Sequence, residues 1–311
     1  LDGESLLDMT GGFGVDTYHF SKKMEQVTYL EKNAELFYLV KHNFQVLKAS
    51  NITAVNDDST NFLAEVNQSF DWIYLDPARR DEAGGRKIGL AGYFPNLLAI
   101  RELLFKKTKK VLVKASPMLD IQQAIEQLKT VEKVIVLAVQ NEVKELLLLL
   151  SESINNDEIV PTFQAVNLKK NGSVDQYQPS INQRLSVDYG YPRNYIYEPN
   201  AAILKAGLFK EIALDFKLAK LHTNTHLYTS DHLLRDFPGR IFICRTVERF
   251  HEKAVAVHLD NKKANITTRN FPYSVAQIKK KLGTKDGGKR YLFATTLYDG
   301  NLAILICEKV S

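Results

Sequence analysis

Leu6-Leu7-Asp8-Met9-Thr10-Gly11-Gly12-Phe13-Gly14-Val15-Asp16 is the stretch that decides the fold. A short apolar strand ends near a carboxylate, a glycine-rich turn follows, and an amphipathic helix is predicted to begin near Phe13. Glycines without side-chain bulk let backbone approach a bound nucleoside or dinucleotide. The helix start adds free amides and the positive end of its dipole. Working outward, Val27-Thr28-Tyr29-Leu30-Glu31 is a second apolar strand ending in a carboxylate, and Asp71-Trp72-Ile73-Tyr74-Leu75-Asp76-Pro77-Ala78-Arg79-Arg80 is a third such element.

These elements belong to a longer alternation. Strands are predicted at Ser5–Met9, Val27–Glu31, Ile52–Asn56, Trp72–Asp76, Lys110–Lys114, Lys133–Ala138 and Phe163–Leu168. Helical patterns fall between them, as at Ala34–Lys48 and Leu119–Thr130. Strand-helix alternation with nearly continuous apolar strands predicts an α/β fold, a mostly parallel Rossmann-like sheet covered on both faces. Ligands of such sheets bind outside the carboxyl ends of the strands. The carboxylates above all fall at those ends.

The rhythm breaks near Lys169-Lys170-Asn171-Gly172, and the segment to Arg193 reads as a connector. Asn200 is placed to cap a short helix that ends near Gly207. Asp236-Phe237-Pro238-Gly239-Arg240 marks a turn and a boundary. Beyond it, strands are predicted at Ile241–Thr246, Ala254–Leu259, Asn265–Thr268, Tyr291–Thr296 and Ala303–Glu308, with a helix at Ser274–Leu282. That is a small α+β module. The expected domains are residues 1–175, 176–238 and 239–311.

Composition narrows the class. The chain has 311 residues, 45% of them apolar, enough for two or three domains at roughly 100–200 residues each. Its two cysteines, Cys244 and Cys307, sit in apolar runs and form neither a disulfide scaffold nor a metal cluster. The longest leucine run, Leu146 to Leu150, is far short of a bilayer span. No secretory signal opens the sequence, which makes the cytoplasm the expected location. The chain starts at Leu1 with a strand close behind, so an upstream segment is expected. The net charge of +5 is unevenly spread: residues 239–311 hold 14 Lys and Arg against 6 Asp and Glu. Such a module suits a polyanion such as RNA, or is an ordinary solvated basic surface.

The candidate site residues follow from the strand ends. Gly11, Gly12 and Gly14 form the turn. No Lys-Ser/Thr pair closes it, as a phosphate-binding loop requires, and the third glycine of a nicotinamide-binding turn is missing. Asp16 would sit awkwardly near a pyrophosphate but suits a ligand carrying sulfonium and ammonium groups; its alternative role is a helix amino-terminal carboxylate. Asp8 suits the ammonium. Glu31 is placed for the hydroxyls of a ribose. Asp58 is placed either to accept from an adenine amino group or to cap a helix from Ser59. Thr10, Lys32, Ser59 and Asp76 complete the cofactor-binding set. Asp76 can also orient or deprotonate an acceptor group, with Pro77 restricting the loop and Arg79 as further catalytic candidates. Arg79, Arg80 and Arg86 can hold a substrate phosphate or carboxylate, although Arg80-Asp81-Glu82 also reads as a surface ion-pair cluster, and Lys114-Ala115-Ser116-Pro117 closes the other side of the pocket with Lys114 as a substrate-binding candidate. Lys279-Lys280-Lys281, with Lys285, Lys289 and Arg290, are the candidate polyanion contacts. The His222 and His226 pair lacks a third metal ligand nearby, so no metal site is expected.

Taken together, Asp8 to Asp16 and Tyr74-Leu75-Asp76-Pro77-Ala78-Arg79-Arg80 resemble the class I S-adenosylmethionine-dependent methyltransferases. Within that class the chain looks like the bacterial group with a THUMP-like carboxyl-terminal domain. The likeness extends to Tyr197-Glu198-Pro199-Asn200-Ala201-Ala202-Ile203, to His222-Thr223-Asn224-Thr225-His226-Leu227-Tyr228, to Asn270-Phe271-Pro272-Tyr273-Ser274 and to Gly287-Gly288. It implies a seven-stranded methyltransferase sheet, a small ferredoxin-like module, a THUMP-like module and S-adenosyl-L-methionine as cofactor. By analogy it implies an RNA substrate, ribosomal or transfer. The opening motif also resembles a ribosomal RNA guanine methyltransferase family, which points to a guanine nitrogen. Ala78-Arg79 departs from the adenine amino-methyltransferase pattern, which ends in an aromatic, and no cysteine lies where a covalent mechanism would need one. Direct in-line transfer follows. The alternatives are a small-molecule or protein methyltransferase and a non-catalytic cofactor-binding scaffold.

Overall fold

The computed structural model describes residues 1, 3–79, 89–152, 159–180 and 186–310. Two compact units divide the chain: residues 1–137 with 144–164, and residues 138–143 with 165–311.

The first unit carries β1 (Ser5–Asp8), α1 (Val15–Ser21), β2 (Gln26–Leu30), α2 (Ala34–Val46), β3 (Ile52–Val55), α3 (Ser59–Glu65) and β4 (Trp72–Leu75). After these come the short pair β5 (Ala78–Arg79) and β6 (Tyr93–Phe94), then α4 (Leu97–Phe105), β7 (Lys110–Ala115), α5 (Ile121–Leu128), β8 (Val131–Val139) and β9 (Glu142–Ser151). Seven strands of the large sheet run in the order β3-β2-β1-β4-β7-β9-β8. The five from β3 to β7 pair in parallel, and β9 enters antiparallel beside β7, with Val111 opposite Leu150 and Val113 opposite Leu148. The order reverses between β1 and β4, and a crevice at the carboxyl ends opens where it does.

Burial explains why these segments are strands. Leu6, Leu7, Ile73, Leu75, Val111 and Val113 are all buried, as a sheet covered on both faces requires. Leu146–Leu150, noted in the sequence only as an apolar run, lies within β9: Leu146, Leu148 and Leu150 are fully buried and the two leucines between them are half-buried. Helix α1 begins at Val15 rather than near Phe13, because Gly14 caps it in the left-handed region at φ 73°.

Strand β10 (Thr162–Leu168) starts in the first unit, and its Ala165–Leu168 portion, in the second, pairs antiparallel with β11 (Val174–Tyr177). β11 lies in the stretch expected to be an unstructured connector. The unit continues with β12 (Tyr195–Pro199), α6 (Ala201–Ala206), α7 (Glu211–Asp215), β13 (Ala219–Lys220), β14 (Tyr228–Ser230) and β15 (Gly239–Arg249). It closes with α8 (Glu252–Ala256), β16 (Asn265–Arg269), α9 (Val275–Leu282), β17 (Arg290–Thr296) and β18 (Leu302–Lys309). Seven of these strands form one sheet, β13-β14-β12-β15-β18-β17-β16. Asn200 caps α6 by accepting from the Ile203 amide, and Gly207 ends it in the left-handed region, as the sequence predicts. The expected strand at Ala254–Leu259 is instead the helix α8 with Val255 buried; the alternating valines there mimic strand periodicity over too few residues to separate the two.

Candidate active site

The strand ends converge. Asp8, Thr10, Gly11, Gly12, Asp16, Glu31, Lys32, Asp58, Ser59, Asp76 and Lys114 line one cleft of about 640 Å³, with Met9, Phe13, Val15, Asp57, Ala78, Phe94 and Pro95 among the other lining residues. Gly14 stands just outside it as the cap of α1.

The glycine turn is shaped from below. The Gly11 amide donates to the Leu30 carbonyl at 2.9 Å, and the Gly14 amide donates to the Gly11 carbonyl at 2.8 Å. A Cβ on Gly11 would fall 2.1 Å from the Tyr29 ring, so the turn lies flat on that ring. The Tyr29 hydroxyl in turn donates to the Gly12 carbonyl at 2.6 Å. At Gly12, with φ +50°, the nearest atom to a built Cβ is 3.7 Å away, which leaves the turn open on the cleft side.

Asp8 closes the turn from inside. It is 1% exposed, and its carboxylate accepts from the Thr10 amide at 3.0 Å and the Thr17 hydroxyl at 2.6 Å. Burial outweighs these bonds and pushes its pKa up to about 6. With two bonds already made within the chain, Asp8 organises the turn as well as lining the cleft.

Glu31 sits at the end of β2 and bridges two backbone amides: Gly12 donates to one oxygen at 3.2 Å and Asn33 to the other at 2.7 Å. Asp58 takes the capping role. Its Oδ1 caps α3 by accepting from the Thr60 amide at 2.9 Å, and the residue lines the cleft.

On the side of β4, the Asp76 amide donates to the Thr10 hydroxyl at 2.6 Å, tying the loop after β4 to the glycine turn. Lys114, from β7, reaches Asp76 and Asp16 with its ammonium 2.7 Å from each. Burial alone would lower the lysine pKa, but its hydrogen bonds to the two carboxylates win and hold it raised. Burial likewise works to raise Asp16, yet Lys114 and the Tyr74 hydroxyl, which donates at 2.6 Å, hold it below the usual range. Lys114 thus pairs with two carboxylates of the cleft itself. Asp16 lies in the first turn of α1 and lines the cleft.

Pro77 precedes β5, and Arg79 lends its backbone to that strand, opposite Tyr93. Arg80 and Arg86 lie outside the described residues. Sequence reading missed Phe94 and Pro95, which the β5–β6 pairing carries to Ala78 from sixteen positions downstream. Only the aromatic-proline pair itself could have signalled them. In the second unit Lys279 pairs with Asp286, and Lys281 lies over the rings of Phe250 and Tyr273 at 4.8 and 5.0 Å; Lys280 is exposed. The His222 ring accepts from the Asn224 amide, and His226 stacks on Phe209 at 3.7 Å.

The cleft is acidic: Asp8, Asp16, Glu31, Asp57, Asp58, Asp76 and Glu145 face Lys32 and Lys114. That charge favours a cationic small molecule over a dinucleotide pyrophosphate. Among the described residues no cluster of His, Cys, Asp and Glu could hold a metal ion, and no helix is long and apolar enough to cross a membrane.

Comparison with known proteins identifies the family. A solved structure named "putative methyltransferase from Porphyromonas gingivalis W83" aligns over 100% of this chain and 78% of its own, with a TM-score of 0.86 and 31% identity. The chain belongs to this methyltransferase family. Within the methyltransferase, residues 1–136 match the family described as conserved hypothetical protein 95, residues 195–238 a ferredoxin-like domain, and residues 239–309 a THUMP domain-like family. Among curated proteins, "Ribosomal RNA small subunit methyltransferase J" of Francisella tularensis subsp. novicida is 35% identical over 81 residues, 24% of this chain and 34% of the relative. Its namesake in Francisella philomiragia is 28% identical over 133 residues, 36% of this chain and 55% of the relative. The methyltransferase thus spans about a third of the length of the first of these relatives.

Proposed function

We propose that this methyltransferase uses S-adenosyl-L-methionine and modifies RNA, ribosomal RNA before transfer RNA, in the cytoplasm. The observation that carries the cofactor reading is the acidic cleft with Glu31 fixed between Gly12 and Asn33. The donor set fits: carboxylates for a sulfonium and an ammonium, an oriented glutamate for a ribose diol, and an open glycine turn. The cofactor supplies the methyl group. With the cofactor bound, Glu31 would hold the ribose hydroxyls, Asp16 and Asp8 would hold its cationic end, and Asp58 with Ser59 would face its adenine.

Asp76 faces the acceptor. Its carboxylate, braced by Lys114, would accept a hydrogen bond from the acceptor N–H, orient the nitrogen lone pair for in-line attack, and take up the nitrogen's proton as the new N–CH3 bond forms and the methyl's bond to sulfur breaks, the sulfur leaving as a neutral thioether. The cysteines at 244 and 307 pair across β15 and β18, and neither lines the cleft, which supports direct transfer to a nitrogen, in our reading that of guanine. Support for RNA comes from the THUMP-like module, its surplus of basic residues and the ribosomal RNA methyltransferase relatives. We further propose three modules, residues 1–175 for catalysis, 176–238 as ferredoxin-like connector and 239–311 for RNA capture, with Arg79, Arg80 and the lysines at 279–281 as RNA contacts.

Transfer of labelled methyl from S-adenosylmethionine to ribosomal RNA, with Asp76→Ala as control, tests the reading. Label in ribosomal RNA that the variant loses supports it; label confined to protein or small molecules overturns the RNA assignment.

A further inference from the structure

Phe94 is a large apolar side chain left 52% exposed on the wall of the cleft. Its neighbours decide what it faces. It pairs across the β5–β6 ladder with Ala78, two residues after Asp76, so the backbone holds it beside the loop that carries the acceptor-side carboxylate. Ala78 lines the cleft beside it. The Lys32 ammonium, from just past the end of β2, lies 4.1 Å over one face of the Phe94 ring and leaves the other face for a ligand. Pro95 follows it in the cleft wall and stiffens the chain there. An exposed aromatic face held this way in a polar cleft is a platform for a planar ring.

We propose that Phe94 stacks on the nucleobase that accepts the methyl group and presents its edge to Asp76. This rests on the RNA reading above and deepens it: the acceptor is an unstacked base, entering the cleft from a single-stranded or opened segment. Asp76 supplies hydrogen bonding to the base edge, and Phe94 supplies the flat apolar contact that Asp76 cannot. Lys32 is a positioning residue, acting on the ring.

The test separates stacking from cofactor contact and from failure of the RNA reading. Three quantities are measured on wild type, Phe94→Ala and Phe94→Trp: calorimetric affinity for S-adenosylmethionine, kcat/KM for methylation of ribosomal RNA, and quenching of a single-stranded RNA oligonucleotide carrying 2-aminopurine. Phe94→Ala should leave cofactor affinity within about twofold, lower kcat/KM for RNA by roughly 5- to 150-fold and abolish the quenching. Phe94→Trp should restore both RNA readouts. Loss of cofactor affinity in Phe94→Ala with unchanged quenching overturns the proposal and places the ring over the cofactor. Wild-type protein that binds cofactor yet neither methylates nor quenches any RNA overturns the RNA reading, and the proposal with it.

Discussion

Lys114 donates to Asp76 over 2.7 Å from the neighbouring strand, and the same ammonium lies 2.7 Å from Asp16. One cation thus holds two carboxylates of the cleft in place. Both pairs are partly exposed, so solvent screens them and their contribution to stability is small. Lys114→Met should therefore cost no more than about 1 kcal/mol in urea unfolding. Methyl transfer should fall by about tenfold or more, because both carboxylates lose their brace. A variant that unfolds readily but transfers methyl normally would show that the lysine is structural.

Asp8 should make stability depend on pH in a defined direction. The folded protein holds its proton up to about pH 6, whereas the ordinary value is 3.8. Between these values the folded state binds more protons than the unfolded one. The contribution of Asp8 to stability therefore falls as pH rises through that window and stays low above it. The full difference is about 3 kcal/mol. Asp8→Asn should gain stability relative to wild type as pH rises from about 4 to about 6, with a constant difference above that range. Urea unfolding across the range checks this; a pH-independent difference contradicts it.

Gly11 and Gly12 should respond differently to alanine. At Gly11 an added Cβ meets the Tyr29 ring at 2.1 Å and the Leu30 carbonyl at 2.8 Å, so the turn must move off β2. Gly11→Ala should cost about 2–3 kcal/mol. Gly12→Ala has space but pays for a left-handed backbone, about 1 kcal/mol. Thermal unfolding of the two variants, side by side, measures the order.

The basic module should bind RNA electrostatically, with unequal lysines. Lys279 is already paired with Asp286, while Lys280 is exposed and Lys281 lies over two aromatic rings. Lys280→Ala and Lys281→Ala should each weaken RNA binding and reduce the slope of log affinity against log salt by about 0.7. Lys279→Ala should change it less. Equal slopes in all three variants would remove these lysines from the RNA contacts.

Fold and site were legible in the sequence to different depths. The parallel strands were readable because buried strands such as Trp72–Leu75 are apolar throughout. β9 was not read as a strand, because a run of five leucines has no period that distinguishes strand from buried helix. That Glu31 and Asp58 share one cleft follows from their places at strand ends, where such sheets open their crevice. The brace of Lys114 on Asp16 spans 98 positions, and no local pattern records it. Phe94 was invisible for the same reason: it reaches Ala78 through a ladder closed across a long excursion.

Isothermal titration with S-adenosylmethionine tests the central claim most directly. One site per chain is predicted, with affinity reduced at least about tenfold in Glu31→Ala, which removes the acceptor held by Gly12 and Asn33. Affinity should be unchanged in Lys280→Ala. Absence of binding by the wild type, or equal binding by wild type and Glu31→Ala, would contradict the placement of the cofactor in this cleft.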